Sequence, residues 1–123
     1  MITLAIDYGK ARSGLAVSDP SGTIARPVGV VRDAATAAGL DRIVQLILDE
    51  QVGEVVVGMP YTLRGERGAQ ARETGVFVEA LRARVGVPVE TYDERFTTTL
   101  GGTDDKAAAH LLTSFLQAKS ARS

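Results

Sequence analysis

The sequence predicts a mixed α/β domain, a single sheet with helices on its faces. Three observations predict it. Two short apolar runs, 2–6 and 14–18, stand close together and are followed by the turn signal Asp19-Pro20-Ser21-Gly22, as consecutive antiparallel strands read. The run Glu54-Val55-Val56-Val57-Gly58 is apolar without alternation, the pattern of a central parallel strand covered on both sides. Around and after that run, apolar residues recur at helical spacing, and helices that alternate with strands belong to parallel sheets. The element order is βββαβαβα.

Ile2-Thr3-Leu4-Ala5-Ile6 reads as a buried first strand that ends at Asp7. A tight turn over 9–13 leads to the second strand, 14–18. In the next turn Pro20 presets φ, Gly22 tolerates positive φ, and Asp19 can bond the backbone ahead. The third strand, near 23–31, contains Pro27, which cannot donate to a ladder, so it belongs at an edge or carries a bulge. Leu40, Ile43, Val44, Ile47 and Leu48 fall at i, i+3, i+4, i+7 and i+8, the chain's cleanest amphipathic helix. The fourth strand, 54–58, is followed by a polar stretch, 59–70, with Gly65 and Gly68. A second helix over 70–84 turns Phe77, Ala80, Leu81 and Val85 inward. The fifth strand starts at Pro88 and ends at Tyr92-Asp93-Glu94-Arg95. A last helix over 103–118 buries Ala108, Leu111, Leu112, Phe115 and Leu116, and 119–123 reads as a frayed tail.

A chain of 123 residues holds one core, so 1–118 is expected to be a single domain. It contains no cysteine, which excludes disulfides and thiolate metal sites. No apolar run reaches membrane-spanning length and no secretory pattern opens the sequence, so a cytoplasmic location without a membrane partner is expected. The net charge is −1 and the pI about 5.8. Proteins held on nucleic acid by bulk attraction to phosphates are strongly basic, which counts against an architectural binder but not against a nuclease with a compact acidic site.

Chemistry-bearing residues gather at strand ends. Asp7-Tyr8-Gly9 closes the first strand, with Lys10 and Arg12 beside it; an acid followed by glycine either holds a metal near a phosphate or punctuates a turn. Asp93-Glu94-Arg95 closes the fifth strand, on the side of a parallel sheet where ligands sit, although such a triplet also suits a solvated loop. Asp104-Asp105 opens the last helix. Acids there favour the helix dipole, with Thr103 as an N-cap, yet Asp104 shares a face with Ala108, Leu111 and Phe115. Three acids from separated segments suit one or two hard cations, Mg²⁺ or Mn²⁺, and a pair of such ions serves phosphodiester hydrolysis. The single histidine, His110, lies in a helical run and reads as a packing residue, so no Ser–His–acid arrangement competes.

These residues stand in stretches that resemble the YqgF family, the Holliday-junction-resolvase-like proteins also described as pre-16S ribosomal RNA nucleases. The stretches are Ala5-Ile6-Asp7-Tyr8-Gly9 with Ser13-Gly14-Leu15-Ala16-Val17-Ser18-Asp19, Val55-Val56-Val57-Gly58-Met59-Pro60, Gly65-Glu66-Arg67-Gly68, Tyr92-Asp93-Glu94-Arg95-Phe96-Thr97-Thr98, and Asp104 followed by Ala107-Ala108 and Ser114-Phe115-Leu116. The resemblance runs nearly end to end. It implies a ribonuclease H-like fold, a five-stranded mixed sheet of order 3-2-1-4-5 with strand 2 antiparallel and helices on both faces. It also implies a metal-dependent nuclease whose catalytic and metal-binding acids fall on Asp7, Glu94 and Asp104. Related resolvases carry an acid at the end of the fourth strand, where this chain has Gly58-Met59-Pro60. The segment between the Asp-Glu-Arg motif and the final helix is shorter than is usual in the family, which leaves Asp105 as an alternative third ligand.

The expected activity is hydrolysis of a nucleic acid, with Lys10, Arg12, Arg64, Arg67 and Arg95 as candidate phosphate holders. The resemblance points to the 5′ end of pre-16S rRNA, in a ribosomal precursor particle, or alternatively to branched DNA, which would call for a homodimer. Two other classes stay open: a nucleotide-binding lobe, since Asp-x-Gly near a hairpin also opens actin-like ATPases, and a ribonuclease H-like module that binds without cutting.

Overall fold

The computed structural model describes residues 1–61, 64, 68–94 and 105–122. Among the described residues, eight elements form in the expected order: β1 (Ile2–Asp7), β2 (Arg12–Ser18), β3 (Ala25–Arg32), α1 (Ala37–Asp49), β4 (Val52–Met59), α2 (Ala69–Arg82), β5 (Val89–Asp93) and α3 (Asp105–Arg122). The five strands make one sheet of order β3-β2-β1-β4-β5. β2 runs antiparallel to β1 and to β3, whereas β4 is parallel to β1 and to β5. This is the topology that the resemblance implied.

Side-chain size decides how each face is covered. Alternate residues of a strand face opposite sides. On one face Leu4, Ile6, Leu15, Val17, Val55 and Val57 meet Ile43 and Ile47 of α1 and Phe77 and Leu81 of α2. On the other face the strands present smaller residues, Ala5, Ala16 and Val56, and α3 settles on them through Ala108, Leu111, Leu112 and Phe115. Phe77 is fully buried and stacks on Tyr8, with ring centroids 4.5 Å apart. Its truncation to alanine would cost about 3–5 kcal/mol.

Local chemistry sets the connections. The Ser13 Oγ accepts from the Gly9 N–H at 3.1 Å and so closes the β1–β2 turn. The Asp19 carboxylate accepts from the N–H groups of Thr23 and Ile24, at 2.8 and 2.9 Å, and shapes the β2–β3 turn. β3 is an edge strand whose register slips near Pro27, where Gly29 takes a φ of 120°. Thr36 caps α1 through its Oγ, which accepts from the Gly39 N–H.

Several boundaries differ from the sequence expectation. β2 starts at Arg12, because the turn needs fewer residues than 9–13. α2 stops at Arg82, so Val85 packs on the core from a loop rather than from a helix. Leu48, expected inward, is exposed, while Ile47 beside it is buried. α3 continues to Arg122, where an end at Ala118 and a frayed tail were expected. Its last turns are held by an ion pair from Lys119 to the buried Glu54, at 2.5 Å.

Candidate active site

The sheet brings two of the three expected acids together. Asp7 ends β1, and it shares a face with Ala5, the α3 side of the sheet. Glu94 follows β5 by one residue and, by the same alternation, shares the face of Tyr92, which packs on Phe115 of α3. Between β1 and β5 runs β4, and on this face its end is Gly58. The Glu94 side chain lies directly over that glycine: a Cβ there would stand 2.7 Å from the Glu94 Cγ and 2.9 Å from its Cδ. It thereby reaches across β4 and shares a hydrogen bond with Asp7.

The electrostatics follow from this placement. Burial pushes the Glu94 carboxyl above the ordinary glutamate value. The hydrogen bond to Asp7 works in the opposite direction, and the adjacent charge of Asp93 adds to the rise. Asp7 itself is only 9% exposed. A buried and a half-buried carboxyl group in contact repel one another when both are charged; a proton on one of them, or a cation between them, relieves this.

α3 lies on the face of the sheet that the two acids share. Near its far end, Lys119 pairs with Glu54 and lies beside Thr3, at the opposite end of β4 and β1. The 18 residues of α3 extend about 27 Å, enough to span the sheet. Asp105 opens it, half-buried. Asp104, the third expected acid, lies outside the described residues, as do Arg67 and Arg95. Among the described residues no three metal-ligating side chains cluster.

The donor set fits a hard divalent cation. Both described candidates are carboxylates, whose oxygens suit Mg²⁺ or Mn²⁺, and a cation would take the place of the proton that the pair otherwise shares.

Of the remaining predicted residues, Lys10 is exposed on the β1–β2 connection, Arg12 is exposed at the start of β2, and Arg64 is exposed in a turn. His110 is exposed on α3 and does not pack in the core, a correction to the sequence expectation: the helix turns its Leu111–Leu112 side to the sheet instead. Sequence reasoning passed over Gly58 as the place of a missing acid, although a glycine closing a run of valines is itself a signal of close approach. It also passed over Arg32. A groove of about 770 Å³ runs along the other face of the sheet, beside Met59, Arg72 and Arg82, away from the acid pair.

An acid pair at the carboxyl edge of a 3-2-1-4-5 sheet with helices on both faces is the plan of a ribonuclease H-like fold with an acidic site. The solved structure of RuvC from Thermus thermophilus with a Holliday junction substrate shares the fold, with a TM-score of 0.64, 20% identity, and coverage of 98% of this chain and 96% of that one. The Pelota protein of Thermoplasma acidophilum matches with a TM-score of 0.58 and 18% identity, over 97% of this chain and 34% of that one.

The chain belongs to the RuvX family, described as "Holliday junction resolvase", which matches residues 1–101. Among relatives, a Mycobacterium leprae protein named "Putative pre-16S rRNA nuclease" is 47% identical over 96 residues, 77% of this chain and 52% of the relative. A Chloroflexus aurantiacus protein of the same name is 40% identical over 97 residues, 79% of this chain and 63% of the relative. The chain thus spans about half the length of the first of these relatives. The family match covers Asp7, Gly58 and Glu94 and stops before Asp104 and α3.

Proposed function

We propose that this chain is a divalent-metal-dependent nuclease domain, acting in the cytoplasm on the 5′ end of pre-16S ribosomal RNA. The observation that carries the hydrolytic reading is the Asp7–Glu94 pair, two carboxyl groups brought into contact across Gly58 at the sheet edge. The RNA substrate is supported by the names of relatives 40% and 47% identical.

Asp7 and Glu94 would hold Mg²⁺ or Mn²⁺, with Asp104 or Asp105 from the start of α3 as the third ligand. A cation bound there would supply Lewis acidity toward a phosphodiester and lower the pKa of a water nucleophile. The chain's own contribution is position. β1 and the end of β5 fix the two carboxyls, burial limits the hydration of Asp7, and Ser13 holds the β1–β2 turn from which Lys10, and Arg12 at the start of β2, would meet the substrate phosphates.

The test is cleavage of a labelled panel in Mn²⁺, Mg²⁺ or EDTA: single-stranded RNA, a 16S precursor fragment, single-stranded DNA and a four-way DNA junction. Metal-dependent cutting of the precursor that Asp7→Asn abolishes is the expected result. Preference for the junction would move the substrate to branched DNA and call for a homodimer. Binding without cutting, indifferent to Asp7→Asn and Glu94→Gln, would make this a non-catalytic module.

A further inference from the structure

β2 and β3 place two arginines opposite one another at the edge of the sheet. Arg12 is the first residue of β2 and Arg32 the last of β3, and they are direct partners in the antiparallel register. Residues so opposed lie on the same face with neighbouring side chains, and like charges there destabilise the sheet. Both side chains are exposed. Among the described residues neither enters an ion pair, whereas Arg26, Arg82 and Arg84 each have an acidic partner. The pair thus sits where folding alone would not favour it, with its charge uncompensated.

Its position explains the arrangement. Asp7 pairs with Gly14, so Arg12 lies two residues beyond Asp7 in the direction in which β1 leaves the sheet. By alternation Arg12 shares the face of Gly14 and Ala16, and Asp7 the face of Ala5; both alanines lie beneath α3. With strands about 4.8 Å apart and about 3.3 Å per residue, the Arg12 backbone lies ~8 Å from Asp7 and that of Arg32 ~12 Å, in line across the edge. Guanidinium groups suit phosphates because their fork matches two oxygens.

We infer that Arg12 and Arg32 form a two-arginine track that grips the sugar–phosphate backbone of a nucleic acid as it leaves the Asp7–Glu94 pair toward β3, whatever its base sequence. This rests on the nuclease reading for the identity of the ligand, but it assigns a binding surface, and a residue in Arg32, which that reading does not need. The track holds the strand on one side of the acids and so sets its direction across the sheet.

The experiment is equilibrium binding in EDTA, by fluorescence anisotropy, of an RNA hairpin and a four-way DNA junction between 50 and 200 mM salt. Wild type, Arg32→Gln, Arg12→Gln/Arg32→Gln and the control Arg42→Gln are compared; Arg42 is exposed on α1, on the opposite face. Arg32→Gln is expected to bind about 3- to 10-fold more weakly and to lower the slope of log affinity against log salt by about 0.7–1, and the double variant by about twice that. Its thermal midpoint should equal or exceed that of wild type, because a like-charge pair is removed. Losses on one probe alone would show which nucleic acid the track serves. Wild-type affinity and slope in Arg32→Gln, or an equal loss in Arg42→Gln, would overturn the inference. Failure of the wild type to bind either probe would instead overturn the nuclease reading and the track together.

Discussion

Gly58 and Glu94 occupy one another's space: the side chain that β4 lacks is the room in which the Glu94 carboxyl lies against Asp7. Three strands cooperate in this, β1 providing one acid, β5 the other, and β4 the gap between them. The atoms nearest to a methyl group at Gly58 would all belong to the Glu94 side chain, which can swing aside. Gly58→Ala should therefore keep the fold, with a circular dichroism spectrum like that of wild type. It should lose about 10- to 100-fold in divalent-metal affinity and cleavage, as displaced supports of a metal site do.

The same burial makes stability depend on pH. Glu94 has a raised carboxyl pKa in the folded chain, chiefly from burial, so the folded state binds a proton more tightly than the unfolded state does. The stability this contributes is fully present below the ordinary glutamate value and is lost as pH rises through the raised one. Denaturant melts in EDTA should show that decline, and Glu94→Gln should flatten it. Added Mg²⁺ should offset it, because a cation favours the charged pair.

Asp19 behaves oppositely. Hydrogen bonds from the Ile24 N–H, the Ser21 hydroxyl and the Thr23 N–H bring its carboxyl down to about 2. Its contribution is present above the ordinary aspartate value and is lost as pH falls through about 2. Asp19→Ala should lower the thermal midpoint at neutral pH, and the gap to wild type should close toward pH 2.

α3 is anchored far from the site. Glu54 is 5% exposed and accepts from both the Thr3 hydroxyl and Lys119. Lys119→Ala leaves that buried carboxylate with the hydroxyl alone, at a cost of about 1–3 kcal/mol. Adding Glu54→Gln should restore part of the loss, measured by urea denaturation.

Much of this architecture is legible in the sequence, and physical reasons mark where legibility stops. The valine run, the Pro27 edge strand and the Asp19 turn each carry a local rule, and each holds. Asp7 and Glu94 stand out because strand ends bear ligands. What the sequence hides is tertiary. The extension of α3 past Ala118 depends on Glu54, 65 residues away from Lys119. The Arg12–Arg32 pairing depends on a register that the irregularity in β3 shifts. Gly58 looks like a missing acid until Glu94 is seen to fill its place.

The central claim is that Asp7 and Glu94 act as one divalent-cation site. Calorimetric titration of Mn²⁺ into wild type, Asp7→Asn and Glu94→Gln tests it most directly. The account predicts binding by the wild type and a loss of at least about 10-fold in affinity in each single variant, with the fold intact. Equal affinity in all three proteins would contradict it and leave the acid pair a structural contact.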